Sequence, residues 1–191
     1  MAATNRLLLI SSTVKGRQLL QEMLDAIPGE LTFAQSGAEA RRLLSEGDFS
    51  LVIINSPLTD EFGHDLALDF AANTAAGVLL LIKADLLDDV CERVEASGVL
   101  CLSKPMTQSA LLHMVKIALA SYTRLNHMLL EKRALERRLE QLRLVDRAKF
   151  ALMEHAAMTE AQAHRYLAKQ AMDLRSTKEA VANQVLSLYE L

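Results

Sequence analysis

Solid apolar runs alternate with stretches of helical periodicity through the first part of the chain. Arg6–Ile10, Leu31–Ala34, Ser50–Ile54, Gly77–Ile82 and Val99–Leu102 read as short strands. Between them, Lys15–Ile27 repeats apolar residues at helical spacing (Leu19, Leu20, Met23, Leu24, Ile27) and stops at Pro28-Gly29. A helix opening at Ser36, with Glu39 completing a capping box, runs to near Gly47; His64–Ala72 and Leu86–Ala96 supply two more. The strands are apolar on both alternating sets of positions, as a parallel sheet covered by helices on both faces requires. Five β–α units predict an α/β doubly wound five-stranded parallel sheet over residues 1–120, with function at the carboxyl ends of the strands.

After Thr107 the pattern changes. No Gly or Pro occurs from there to Leu191, and the spacing is helical throughout. A heptad seam runs through Leu111, Met114, Ala118, Ser121, Leu125, Met128, Lys132, Leu135, Leu139 and Leu142, with Ser121 and Lys132 as its polar interruptions. In a parallel pair of this register Glu131 faces Glu136 and Arg138 faces Arg143, so like charges meet. So long a helix needs an apolar partner; a homodimer through this coiled-coil helix is expected, the alternative being a long helix that packs on its own domain. Thr159-Glu160-Ala161-Gln162 and Ser176-Thr177-Lys178-Glu179 each start a further helix with a capping box. The chain thus divides into a domain at 1–120, a coiled-coil linker at 121–145 and a small three-helix unit at 146–191. Val181, Val185 and Leu188 mark the inner face of the last helix.

Composition sharpens this division. The 191 residues are 51% hydrophobic but only 4% aromatic, with no Trp, so Leu, Ala, Val, Ile and Met fill the core. The formal charge is −3. It is −6 over residues 1–120 and +3 over 121–191, which points to different partners for the two halves. Cys91 and Cys101 form no metal-binding spacing and read as reduced, buried thiols of a cytoplasmic protein. No apolar run approaches the roughly 20 residues of a membrane span, and the start does not read as a secretory signal.

The residues at the strand ends carry a resemblance. Asn55-Ser56-Pro57-Leu58 with Gly63 follows the third strand, and Ser103-Lys104-Pro105 follows the fifth. With the five β–α units, this resembles a response-regulator receiver domain. The resemblance implies a phosphoacceptor Asp after the third strand, two acids after the first that hold Mg²⁺, a Ser or Thr after the fourth, and a Lys after the fifth. Here those places hold Asn55, Ser11 and Ser12, Lys83, and Lys104. An amide is not a carboxylate nucleophile, and two hydroxyls are poor Mg²⁺ ligands. The expectation is a pseudo-receiver, in which the fold is kept and phosphorelay chemistry is lost. Asp60 and Asp65 follow the turn and are poor substitutes. Asn55 has two readings: a partner for the Lys104 ammonium and nearby backbone, or the lining of a pocket for an unphosphorylated ligand, with Lys83 and Lys104 making that pocket positive.

The last 50 or so residues resemble an ANTAR domain. The matching stretches are Asp146 to Met153, Met158-Thr159-Glu160, Ala163 to Leu167, and Lys169 to Asp173. The resemblance implies a three-helix RNA-binding module of transcription antiterminators, joined to a receiver by a coiled coil. Phe150 stands where that family often has Gly, a departure expected to affect local packing only. Ala148, Leu152, Met153, Ala163, Leu167 and Ala171 fall at core spacing. The polar residues between them are the candidates for RNA contact: Arg147, Lys149, His164, Arg165, Tyr166, Lys169, Arg175 and Lys178. Cations suit phosphates, and flat rings suit unstacked loop bases.

The leading functional expectation is an antiterminator that binds hairpin loops in nascent leader RNA, with no catalytic residues, cofactor or metal. A sensor or regulator protein at the pseudo-receiver is a further expected partner. The alternative is a non-enzymatic interaction adaptor using the pseudo-receiver and the coiled coil. A DNA-binding regulator ranks lower, for want of a recognition helix after a Gly turn. No catalytic constellation is visible among the five scattered histidines.

Overall fold

A computed structural model of the chain describes residues 5–189. They form two compact units, divided between His127 and Met128. The first holds five parallel strands in the order β2-β1-β3-β4-β5. These are β1 (Arg6–Ser11), β2 (Glu30–Ala34), β3 (Leu51–Asn55), β4 (Gly77–Lys83) and β5 (Leu100–Lys104). The connecting helices are α1 (Val14–Leu24), α2 (Gly37–Glu46), α3 (His64–Asn73) and α4 (Leu87–Val94). The doubly wound sheet is as the apolar runs predict.

The strands carry apolar residues on both alternating sets of positions because each face has its own core. Leu8, Ile10, Val52, Ile54, Leu80 and Ile82 point to one side, against Ala40, Leu66, Ala67, Phe70, Val90 and Val94 of α2, α3 and α4. Leu7, Leu9, Leu51, Ile53, Leu79 and Leu81 point to the other, against Leu20 and Leu24 of α1. That second layer is completed by Leu111, Val115 and Ala118 from the start of α5 (Gln108–His155). Gly77 records how closely α5 approaches β4: a Cβ there would lie 2.6 Å from the Ala118 carbonyl oxygen.

This packing revises the heptad seam. Leu111 and Ala118 are spent on the sheet, with Met114 packed beside them. Leu125, Met128, Leu135, Leu139 and Leu142 remain exposed. A seam of ten positions therefore cannot be continuous, because its first turns face their own domain.

Other boundaries moved for local reasons. α1 ends at Leu24 rather than Ile27, and the predicted Leu86–Ala96 helix is an α-helical centre flanked by single 3₁₀ turns at Ala84–Leu86 and Glu95–Ser97. Cys91 and Cys101 are half-buried free thiols rather than fully buried ones. They lie in hydrogen-bonding reach of each other, and burial first, then the Cys91 neighbour, pushes the Cys101 thiol up to about 12.

The cap of α2 is more elaborate than its sequence signature. Ser36 Oγ accepts from Glu39 N at 3.2 Å, but the Glu39 carboxylate accepts from Gln35 N at 2.7 Å, one residue beyond the Ser36 amide that a capping box would use. The two free amides of the first turn, Gly37 N and Ala38 N, donate to Asp60 at 2.9 and 3.0 Å. These backbone donors hold the Asp60 carboxyl below its ordinary range. Its contribution to stability is therefore complete above the ordinary carboxylate pKa and lost as pH falls through the lowered one. Asp60→Ala is expected to destabilise the protein by about 1 kcal/mol at neutral pH. The difference from wild type should shrink in acid; urea unfolding at neutral and acid pH measures both.

The second unit contains the later turns of α5, then α6 (Glu160–Asp173) and α7 (Lys178–Leu188). Its core is Ala148, Ala151, Leu152, Ala163, Leu167, Ala171, Val181, Ala182, Val185 and Leu186, with Met153 partly buried against it. The inner face of α7 is corrected here: Leu188 is exposed and Leu186 takes the buried place. Thr159 and Gln162 make the predicted capping box. α7 starts one residue later than expected, because Thr177 is its cap and accepts from Ala180 N at 3.2 Å. Ser176 is used instead to close α6, donating its N–H to the Ala171 carbonyl at 2.9 Å around Arg175, which takes a left-handed φ of 48°. No helix among the described residues is long and apolar enough to cross a membrane.

Candidate functional site

Two places hold the chemistry-bearing residues. The first is the carboxyl edge of the sheet. Parallel register puts Ser11 beside Asn55 and Lys83 beside Lys104. Lys104 Nζ donates to Asn55 Oδ1 at 2.8 Å and to the Ser56 carbonyl, and Asn55 Nδ2 donates to Ser11 Oγ at 3.0 Å. A chain of hydrogen bonds thus links β5, β3 and β1. Ser12, half-buried, donates to the Pro57 carbonyl at 3.2 Å. The peptide bonds preceding Pro57 and Pro105 are both cis. Lys83 is exposed at the rim.

Burial of Lys104, and secondarily the charge of Lys83, hold the Lys104 ammonium below its ordinary pKa. The pocket is accordingly short of negative charge. The first turn of α1 also closes over it: a Cβ on Gly16 would lie 2.9 Å from Ser11 Oγ and 3.0 Å from Asn55 Nδ2. These residues do not fit the divalent cation that receivers use. Ser11 and Asn55 present hydroxyl and amide to each other at places where carboxylates are needed, the Lys83 and Lys104 ammonium groups stand at the same edge, and Asp60 is engaged at the start of α2. Asp65 is exposed, with His64 Nε2 3.4 Å away. No group of His, Cys, Asp and Glu among the described residues is arranged to hold a metal.

A carboxylate in place of the Asn55 amide would accept a charge-assisted bond from Lys104, and the Ser11 hydroxyl could turn to donate to it. Asn55→Asp is expected to raise stability by about 1 kcal/mol at neutral pH. Lys104 lowers the new carboxyl's pKa, so the gain is present above the ordinary Asp value and disappears as pH falls through the lowered one. A melting temperature below that of wild type at neutral pH would mean that the lost amide donor outweighs the added charge.

The second place is the terminal three-helix unit. α6 buries Ala163, Leu167 and Ala171, so at 100° per residue Arg165, Lys169 and Met172 point away from the core. Arg165 and Lys169 lie one turn apart, and Tyr166, 37% exposed, flanks them. Arg165 is steadied by its Nε donating to the Ala161 carbonyl at 3.2 Å. His164 is exposed on the other flank. Arg147 is exposed on α5, while Arg175 and Lys178 bracket the turn from α6 to α7.

Lys149 differs from the rest. Its ammonium sits between Asp146 at 2.8 Å and Glu160 at 3.1 Å, with only 16% of the side chain exposed. Hydrogen bonds to those two acids raise its pKa. It ties α5 to the first turn of α6. Sequence reasoning missed the exposed apolar residues of this unit. Phe150, expected to affect packing, is 65% exposed, and Met172 is 79% exposed. The signal was present for Phe150, which lies two residues from Ala148 and two from Leu152, on the opposite side of the helix.

Comparison with known proteins gives three results. Residues 133–186 match the ANTAR domain. The chain is 31% identical over 189 residues to the transcriptional regulatory protein PdtaR of Mycobacterium tuberculosis, covering 97% of this chain and 91% of that protein. Solved receiver domains share the fold of the first unit. One, from an HD domain-containing protein of Pseudomonas fluorescens, aligns with a TM-score of 0.61 at 24% identity over 66% of this chain and 95% of that one. Another, from Clostridium thermocellum, aligns at 0.58 and 21% identity over 63% of this chain and 98% of that one.

Proposed function

The chain belongs to the family of transcriptional regulators that join a receiver-fold domain to a C-terminal ANTAR domain, and from that premise we propose that it is an RNA-binding transcription antiterminator. In this reading the terminal three-helix unit binds hairpin loops of a nascent leader transcript and stabilises them against an overlapping terminator. The work is non-enzymatic and takes place in the cytoplasm, where such transcripts are made.

The observation that carries the reading is the outer face of α6. Arg165 and Lys169 stand exposed one turn apart, with the Tyr166 ring beside them and the core behind. Cations meet the phosphates of a loop, and a ring accepts one of its unstacked bases. Arg147, His164, Arg175 and Lys178 supply peripheral charge and contact. Lys149 supports the unit from its two ion pairs rather than touching RNA. A homodimer through α5 presents two such units, so that a second hairpin is bound intramolecularly.

The receiver-fold domain acts without a phosphoryl group. An amide stands at the acceptor place, already bound to Lys104 and Ser11, and the acids that would hold Mg²⁺ are absent from positions 11 and 12. Control then comes from a sensor or regulator protein at this domain, from a ligand, or from the amount of protein made.

A mobility shift with full-length protein, never exposed to a phosphodonor, tests this against a two-hairpin leader RNA and a loop-scrambled control at two salt concentrations. Loop-dependent binding is expected. Tyr166→Ala should weaken it by about 1–3 kcal/mol. Lys169→Ala should reduce the slope of log affinity against log salt by about 0.7. Lys149→Ala should lower the melting temperature and leave the affinity of the folded protein unchanged. Binding that ignores the loops and vanishes with salt would be counterion release alone and would overturn the reading.

A further inference from the structure

Between Met128 and Leu142, α5 carries a row of large apolar side chains that its own unit does not cover. Met128, Leu135, Leu139 and Leu142 are each more than half exposed and recur at alternating spacings of seven, four and three residues. Lys132 lies within the row, its side chain 70% exposed and reaching Glu136 at 3.7 Å. The row faces away from Ala148 and Leu152, which point into the three-helix core. An apolar strip this long on one helix is a docking surface.

Charge decides its occupant's direction. Glu131 and Arg138 flank one edge of the row; Glu136 and Arg143 flank the other. If two copies lay parallel and in register, Glu131 would meet Glu136 of the second copy and Arg138 would meet Arg143, on both sides of the pair. Lys132 would also face its own counterpart across the apolar seam. Every one of these contacts is repulsive. If the copies lie antiparallel about an axis between Arg133 and Ala134, all are removed. Met128 then packs on Leu139 of the second copy, Lys132 on Leu135, and Glu131 pairs with Arg138 twice by symmetry.

We propose that α5 pairs with α5 of a second copy of this chain in antiparallel orientation, centred between Arg133 and Ala134. This rests on the dimer invoked above and adds its geometry. The Ala148 positions of the two copies lie about 43 Å apart along the paired helices at 1.5 Å per residue. The two RNA-binding units therefore sit at opposite ends of the pair, and a bivalent RNA target must present hairpins at that separation.

Charge reversal separates the two orientations by sign. Sedimentation equilibrium of full-length wild type, Glu131→Arg, Arg138→Glu and the double variant measures dimer affinity at low salt, with helical content checked by circular dichroism. In the antiparallel pair each single reversal puts like charges together, and dimerisation should weaken by roughly three- to tenfold. The double variant restores opposite charges and should return to near the wild-type affinity. In a parallel pair each single reversal would instead replace a repulsion by an attraction and tighten the dimer, which would overturn the proposal. Four equal affinities would also overturn it, by placing these charges outside the interface. A wild-type protein that stays monomeric would remove the dimer reading itself, which distinguishes that failure from a wrong orientation.

Discussion

Both faces of a five-stranded parallel sheet must be buried, and here the second face is shared between α1 and the first turns of α5. α1 covers part of it with Leu20 and Leu24; the remainder is covered by Leu111, Val115 and Ala118 of α5. The side-chain-free surface of Gly77 lets that helix settle against β4. α5 is thereby divided by use. Its opening turns are core of the receiver-fold domain, its middle carries an uncovered leucine row, and its end is core of the terminal three-helix unit. One uninterrupted helix serves three kinds of packing because its apolar residues change face along its length.

The carboxyl edge of the sheet is held by a run of hydrogen bonds across three strands. Lys104 still reaches across to β3, as the receiver fold arranges, but meets an amide oxygen instead of a carboxylate. Asn55 passes the bond on to Ser11, a hydroxyl at a place where the family has an acid. The result is a complete hydrogen-bond chain with a half-buried ammonium whose proton is held less tightly than usual. Such a chain joins three strands, and with Lys83 at the rim it leaves the edge positive.

In the terminal unit, small residues and ion pairs substitute for bulk. Ala148, Ala151, Ala163, Ala171 and Ala182 let three helices approach closely around a core of few large side chains. The Lys149 bridge to Glu160 and the capping box at Thr159 hold the start of α6 in place. Stacking of His155 on Tyr189, with ring centroids 4.7 Å apart, packs the C-cap of α7 against the end of α5. The outer face of α6 is thus fixed from behind, so Arg165, Tyr166 and Lys169 are presented on a supported helix.

The sheet, its order of elements and the ANTAR-like core were legible in the sequence, because burial imposes a period on apolar residues and a period can be read without coordinates. Asn55, Lys104, Ser11 and Ser12 were legible as a set because strand ends converge in any doubly wound sheet. The uses of individual polar and borderline residues were not. Lys149 reads as one more cation in a basic stretch until Asp146 and Glu160 close on it. Asp60 reads as a stray acid until the amides of α2 point at it. Phe150 reads as packing and stands exposed, and Ser176 reads as a cap and closes the preceding helix instead. Each of these depends on what comes near in space from another element. Pattern along the chain determines which side of an element is buried; only the tertiary structure decides which neighbour waits there.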